Sequence, residues 1–328
     1  MRPSGLTVSV APHMHCGNSI AGCMHNQIAA LVPAVAVGVF FFGPRALLVI
    51  GVSIVTAVVM EMLMNRALKV ECTLADGSAV LAGLLLALLM PASAPLWTVV
   101  VGAVICIVLA KWLFGGLGSY PFNPVLVAFV MLNISWPRIM TSWPAPNPIT
   151  CGPGSSIPVE TTLEVLKSYG VSMANQFSMI DALIGMQAGG IGTAAALALI
   201  AGGIYLVVRG FISWHIPAGY VAGIVIFAGI FRIIDPTMNA CPGFHLLSGM
   251  TLIGIFFLAP EYATSPNTFW GKLLYGLGIG MLTMLIRKYG NYPDGTAFAI
   301  LLMNLCTPIF DRIRPRVTGI SKEVAADA

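Results

Sequence analysis

Two stretches of this chain carry the same punctuation. Asp76-Gly77 is followed, 44 residues after its glycine, by the proline of Tyr120-Pro121, and Ser248-Gly249 is followed at the same distance by the proline of Tyr292-Pro293. In each copy an apolar segment ends in proline, a second apolar segment follows, and a loop leads to Tyr-Pro. A third apolar segment then carries an asparagine near its end, Asn133 in one copy and Asn304 in the other. Repetition of this kind restricts the fold to an architecture built from two copies of one unit.

What that unit can be follows from its solvent. With 58% hydrophobic residues, 9% charged residues and a mean hydropathy of +0.91, the 328-residue chain has too little polar surface to cover a water-soluble globule. Apolar runs near the roughly 20 residues that cross a bilayer fall at 26–44, 45–65, 74–91, 94–114, 121–135, 193–213, 216–234, 243–259, 269–289 and 293–310. The expectation is an all-α polytopic membrane protein of about ten transmembrane helices. Arg2 leads into a polar stretch with Pro12, His13, His15 and Asn18 rather than an apolar core, so the first span is expected to act as the membrane signal.

Five spans per half is an odd number, so the second half enters the membrane from the opposite side and the repeat is an inverted five-plus-five. The expected divisions are an N-terminal segment 1–25, a first half 26–135, a connection 136–192, a second half 193–310 and a tail 311–328. Ten of the 16 basic residues fall on loops of the side carrying the termini and six on the other. The positive-inside rule then puts both termini in the cytoplasm and the 136–192 connection outside. A net charge of +4 gives no argument for nucleic acid.

Asp76-Gly77-Ser78 and Asp294-Gly295-Thr296 stand at the starts of the third and tenth spans. An acid, a glycine and a hydroxyl at a helix start suit capping of the first amides or contact with a bound group, and acids within a membrane domain cost enough to suggest function. In the connection, six prolines between Pro137 and Pro158 exclude a continuous helix. From Pro158 the pattern Val159-Glu160-Thr161-Thr162-Leu163-Glu164-Val165-Leu166-Lys167 predicts a short helix with proline in its first turn and Gly170 as its stop. Thr161 then sits where amide donors favour a phosphate. Seven cysteines show no CxxC pair and no metal-ligand spacing, and no GxSxG, HExxH or Walker loop is present. Only Cys151 and Cys241 fall near the outer face together. Neither catalytic residues nor a metal site are expected.

Several longer strings carry a resemblance. Pro12-His13-Met14-His15-Cys16-Gly17-Asn18-Ser19, Phe41-Phe42-Gly43-Pro44-Arg45, Asp76-Gly77-Ser78-Ala79-Val80 and Lys111-Trp112-Leu113-Phe114-Gly115-Gly116-Leu117-Gly118 occur in order with Pro121-Phe122-Asn123-Pro124, Ser213-Trp214-His215-Ile216-Pro217 and Pro293-Asp294-Gly295-Thr296-Ala297. Over nearly its whole length the chain resembles RnfD, a membrane component of the Rnf-type ion-translocating ferredoxin:NAD oxidoreductase complex. NqrB, of the sodium-pumping NADH:quinone oxidoreductase, is the more distant relative.

The resemblance implies an electron-transfer component of a translocase complex in the inner (cytoplasmic) membrane, not catalytic alone, which couples ferredoxin and NAD redox chemistry to sodium or proton movement. It implies FMN held through a phosphoester to a threonine of the outward loop, with Thr161 the acceptor and Thr162 the alternative, and leaves room for a second, unattached flavin such as riboflavin. Asp76 and Asp294 become candidates for flavin contact or ion passage. Implied partners are the flavin-bearing and iron–sulfur subunits, membrane lipid, and the sodium ion or proton. Where the family motif reads Ser-Gly-Ala before the acceptor, this chain has Pro158-Val159-Glu160, while Lys167 keeps its register six residues after Thr161. A flavin-free scaffold or ion-pathway protein, and a small-solute channel, are the competing readings.

Overall fold

The computed structural model describes residues 19–70, 74–146, 159–174 and 178–312. Every regular element among them is helical. The first half contains α1 (Ile20–Phe42), α2 (Pro44–Leu68), α3 (Ser78–Leu89), α4 (Leu96–Phe114) and α5 (Pro124–Ser135). The connection carries the short helix α6 (Thr162–Tyr169). The second half contains α7 (Ala196–Val208), α8 (His215–Ile234), α9 (Pro242–Leu247) with a following segment from Thr251 to Leu258, α10 (Phe269–Tyr289) and α11 (Thr296–Asp311). Helices α1, α2, α4, α8 and α10 are long and apolar enough to cross a membrane, and α3, α5, α7 and α11 are shorter apolar helices. The chain is thus an all-helical polytopic membrane protein.

Hydrogen bonds between distant loops fix which ends lie together. At one end, Asn267 N–H donates to Asp311 Oδ1 at 2.8 Å, and the Tyr262 hydroxyl donates to the Phe211 carbonyl. Ser19, Ile20 and Tyr262 line one cavity there. At the other, Arg45 Nε donates to the Ala92 carbonyl at 3.1 Å, and Lys167 Nζ donates to the Gly290 carbonyl. We call these the termini end and the loop end. Tracing the chain between them, α1 runs toward the loop end and α7 away from it, so the two halves have opposite sense, as an odd number of spans requires.

The repeated punctuation has a common backbone form. Gly77, which precedes the third element of the first half, and Gly249, which lies within the third element of the second, have φ of +73° and +69°, the left-handed conformation that glycine adopts without a Cβ penalty. The halves then diverge. In the first, α3 is regular, while α4 widens into a π-helical stretch at Ile105–Lys111. In the second, α10 is regular, and the third element is broken at Ser248-Gly249 before a π turn at Gly254–Leu258. Such wide turns release backbone carbonyls from the i−4 ladder; the side-chain amide of Asn123 donates to one of them, Leu258, at 3.2 Å.

Packing follows membrane rules. The closest helix pair is α8 with α10, where Gly219, Gly223, Gly276 and Gly280 bring the two backbones into contact, each lying against a main-chain oxygen of the facing helix. Helix α3 stops at Leu89, well short of a bilayer's thickness, ahead of Pro91. Its free carbonyls are taken by a returning loop: Gly192 N–H donates to Leu88 at 2.9 Å, and Ile191 N–H to Met90 at 3.1 Å. A buried, non-helical loop is tolerated at this depth because every backbone group can find a partner in protein.

Candidate functional site

Helix α6 is started by a capping box. Thr161 is its N-cap, with Oγ1 accepting from Glu164 N–H at 3.3 Å and Thr161 N–H donating to Glu164 Oε2 at 2.7 Å. Leu163 and Leu166 turn inward onto Ala240 and Phe244. Lys167 ties the helix to the α10–α11 turn through the Gly290 and Tyr292 carbonyls, and its partial burial lowers its pKa from the ordinary lysine value. The helix begins four residues later than the proline-first pattern predicts, because the box, and not Pro158, sets its start; Pro158 itself lies outside the described residues.

This arrangement brings two predicted residues together. Thr161 and Asp294 line one small recess of about 70 Å³ at the loop end, with Asn133, Trp143, Thr193 and Gly249. Asp294 is held by four converging groups: the N–H of Met250 at 2.6 Å, the N–H and hydroxyl of Thr296 at 3.1 and 2.8 Å, and Arg287 at 3.0 Å. Thr161 is half-buried and lines the recess, whereas Thr162 is 4% exposed and does not. The accessible hydroxyl is therefore that of Thr161.

Asp76 lies elsewhere. It closes a 3₁₀ turn, Leu74–Asp76, at the termini end, across the bundle from Thr161. The expected acid cap on α3 does not form, since Gly77 occupies the N-cap with a left-handed backbone and no side-chain bond is made. A capping side chain must come from the N-cap residue itself in an extended conformation to reach the second or third amide, and Gly77 takes that place. At α11 the N-cap is Gly295, yet Asp294 still reaches Thr296 N–H. Similar tripeptides thus form two different devices.

A larger cavity of about 480 Å³ opens at the termini end, and its polar lining includes Ser78, Lys111, Tyr120, Asn123 and Glu261. Behind it lies a buried ion pair, Lys111 Nζ to Glu61 Oε1 at 2.7 Å; Lys111 also donates to Ser78 Oγ at 2.9 Å, and Trp112 Nε1 to Glu61 Oε2 at 3.0 Å. In the turn after the second π stretch, the Tyr120 hydroxyl donates to Glu261 Oε1 at 2.7 Å. Burial of that carboxyl raises its pKa to about 7, against the lowering effect of the Tyr120 and Thr264 hydroxyls and of Lys111. Sequence reasoning missed Glu61 and Glu261 and treated Lys111 as a loop cation. The available signal was a formal charge inside or at the margin of an apolar run.

The two cavities approach one another along α5. Val125 lines the termini-end cavity and Phe129, four residues on, lines the loop-end recess. No cluster of three or more metal-ligating side chains occurs among the described residues. Cys23, Cys106, Cys241 and Cys306 are free; Cys16, Cys72 and Cys151, and with the last the Cys151–Cys241 pairing, lie outside the described residues, as do His13 and His15.

Comparison with known proteins covers nearly the whole of this architecture. The family model described as NQR2, RnfD, RnfE family matches residues 7–319. The chain is 40% identical to the D component of the Na(+)-translocating ferredoxin:NAD(+) oxidoreductase complex of Acetobacterium woodii, over 98% of both chains. It is 36% identical to the D component of the proton-translocating ferredoxin:NAD(+) oxidoreductase complex of Clostridium ljungdahlii, over 93% of both. It is also 35% identical to the D component of the ion-translocating oxidoreductase complex of Vibrio cholerae, over 95% of this chain and 99% of that one. By a match that runs almost from end to end, the chain belongs to the NQR2, RnfD, RnfE family.

Proposed function

We propose that this protein is the membrane electron-transfer component of a complex that couples ferredoxin and NAD redox chemistry to translocation of sodium ions or protons, with FMN esterified to Thr161. The observation that carries the reading is the Thr161 hydroxyl at the N-cap of α6, in a recess shared with Asp294 and with Lys167 anchoring the helix behind it. With the recess at about 70 Å³, the phosphate would lie at Thr161 and the flavin ring toward the mouth. FMN would supply a carrier able to accept and pass on one or two electrons.

The chain's own residues would do the positioning. Thr161 provides the attachment oxygen, the N-terminal end of α6 would favour the phosphate beside it, and the Lys167 clamp keeps α6 from swinging away from the α10–α11 turn. Asp294, already saturated by Arg287, Met250 and Thr296, acts as a rigid wall of the site. Asp76, at the opposite end, has no part in it. The termini-end cavity falls within the roughly 300–1,000 Å³ of small-molecule sites and is the candidate place for an unattached flavin such as riboflavin. Flavin-bearing and iron–sulfur subunits would be its neighbours in an inner membrane, with the termini end in the cytoplasm.

The second reading, a flavin-free ion-pathway or scaffold protein, is favoured by one feature: Pro158-Val159-Glu160 stands where the family has small residues before the acceptor. Denaturing-gel flavin fluorescence and intact mass of the chain, expressed with its flavin transferase, separate the two. The expected result is one added FMN on the 158–167 peptide, absent in Thr161→Ala and retained in Thr162→Ala with both variants folded. An unmodified native chain would leave the ion-pathway reading.

A further inference from the structure

A third cavity, of about 270 Å³, lies behind α6 at the loop end, between α8, α9 and α10. Its chemistry is set by Lys167, Asp235, Met238, His245, Arg287 and Lys288. Three of these six side chains are cationic and one is acidic. Asp235 directs one oxygen to Thr237 N–H at 3.1 Å, the Thr237 hydroxyl at 2.7 Å and Met238 N–H at 3.3 Å, so its charge is largely spent on its own turn.

Among the described residues, two deeply buried side chains lining this cavity have polar atoms with no hydrogen-bond partner. Arg287, 6% exposed, donates through its terminal nitrogens to the His245 carbonyl at 2.8 Å, the Ser248 carbonyl at 3.2 Å, Thr251 Oγ1 at 2.6 Å and Asp294 Oδ1 at 3.0 Å, yet its Nε–H has no acceptor. His245, 4% exposed, has neither ring nitrogen bonded. Orphaned buried groups of this kind are uncommon and call for a partner. An Nε–H, an imidazole N–H and the spare ammonium protons of two lysines all ask for an acceptor, and an oxyanion meets that demand with one group.

The mouth of the cavity says where such an oxyanion comes from. Helix α8 ends there with Ile233 and Ile234, 85% and 69% exposed, immediately before Asp235, and Tyr289 is 72% exposed beside Lys288. Lys288 Nζ sits 4.4 Å from the centre of the Phe231 ring. Exposed aliphatic side chains directly beside an aromatic and a lysine mark the border between acyl chains and headgroups. We propose that this cavity is a binding site for the phosphate of an anionic phospholipid, with Lys288 at the mouth, Arg287 Nε and His245 at the base, and the acyl chains lying along the end of α8. The cavity adjoins the Thr161 recess, with Leu163 and Pro293 lining both, but the lipid reading does not require flavin to be attached at Thr161.

Native mass spectrometry of the purified full chain in mild detergent tests this, with phosphatidylglycerol and phosphatidylcholine of matched acyl chains as probes. The wild type should retain phosphatidylglycerol in preference, and Lys288→Gln should weaken that preference about fivefold, the scale expected of one lysine near a membrane surface. His245→Asn should weaken it as well, whereas Lys69→Gln at the opposite end should not. Equal retention of the two lipids by the wild type overturns the proposal. Displacement of phosphatidylglycerol by excess inorganic phosphate would assign the cavity to the free ion and overturn its lipid source. The readout is lipid retention by the intact chain, so a variant that loses its fold is recognised by its charge-state distribution, and the remaining variant carries the test.

Discussion

Glu61 and Lys111 are 50 residues apart in sequence and 2.7 Å apart in space. Each is almost fully enclosed, and the pair is completed by Ser78 and the Trp112 indole. Breaking a buried pair from one side strands a charge and costs about 3–5 kcal/mol, whereas removing both charges is far cheaper. Glu61→Gln should therefore lower the thermal unfolding temperature in detergent substantially, and Glu61→Gln combined with Lys111→Met should recover most of the loss. If the double variant is no better than the single one, the pair is not the source of the effect. None of this was readable along the chain, because a separation of 50 residues carries no local signal; only the anomaly of each charge was. Thr161 and its register with Lys167 came from the resemblance, while the local capping pattern Thr-x-x-Glu that sets the helix start was passed over for a proline-led start. That Thr162 is buried was not readable, since burial depends on which face of α6 meets Phe244.

At the scale of elements, what the sequence showed depended on continuity. The runs behind α1, α2, α8 and α10 are uninterrupted, and they became helices of 20 to 25 residues. The run at 243–259 reads as one span, but the chain breaks at Ser248-Gly249, where the left-handed glycine turns it and Asp294 takes the Met250 amide. Hydropathy averages over such a break; the Ser-Gly landmark of the repeat did mark its place. For α6, position was predicted to within a few residues, and its start was set by a cap. Glu164→Ala removes one arm of that cap, worth about 1 kcal/mol. Hydrogen exchange in the first turn of α6 should accelerate about fivefold, with α8 amides unchanged. Unaltered exchange there would show that the tertiary contacts of Leu163 and Leu166, and not the cap, hold the helix.

For the whole molecule, the inverted repeat makes a prediction about sides. The α1 start and the α11 end share one face, while α6 and the α10–α11 turn share the other. In a chain with its native cysteines replaced, Tyr169→Cys and Arg138→Cys should react with a membrane-impermeant maleimide on intact spheroplasts. Lys69→Cys should react only after lysis. The opposite pattern would invert the orientation that the basic residues suggest, while labelling of all three from one side would contradict the fold. The opposite sense of the two halves was legible because an odd count of spans in each half requires it; the differing sites of the π turns in the two halves were not, as they follow from packing against neighbours.

Helix α5 borders both cavities. Val125 belongs to the cavity that opens at the termini end and Phe129 to the recess at the loop end. At 1.5 Å per residue, those two positions are about 6 Å apart along the helix axis, against a hydrocarbon layer of about 30 Å. A membrane hollowed from both sides concentrates its voltage where it is thinnest. Any charge that hops from one cavity to the other would move a short way and yet do work against most of the transmembrane potential, about 2.3 kcal/mol per elementary charge for each 100 mV. The thin wall at α5 would then make the hop strongly sensitive to voltage.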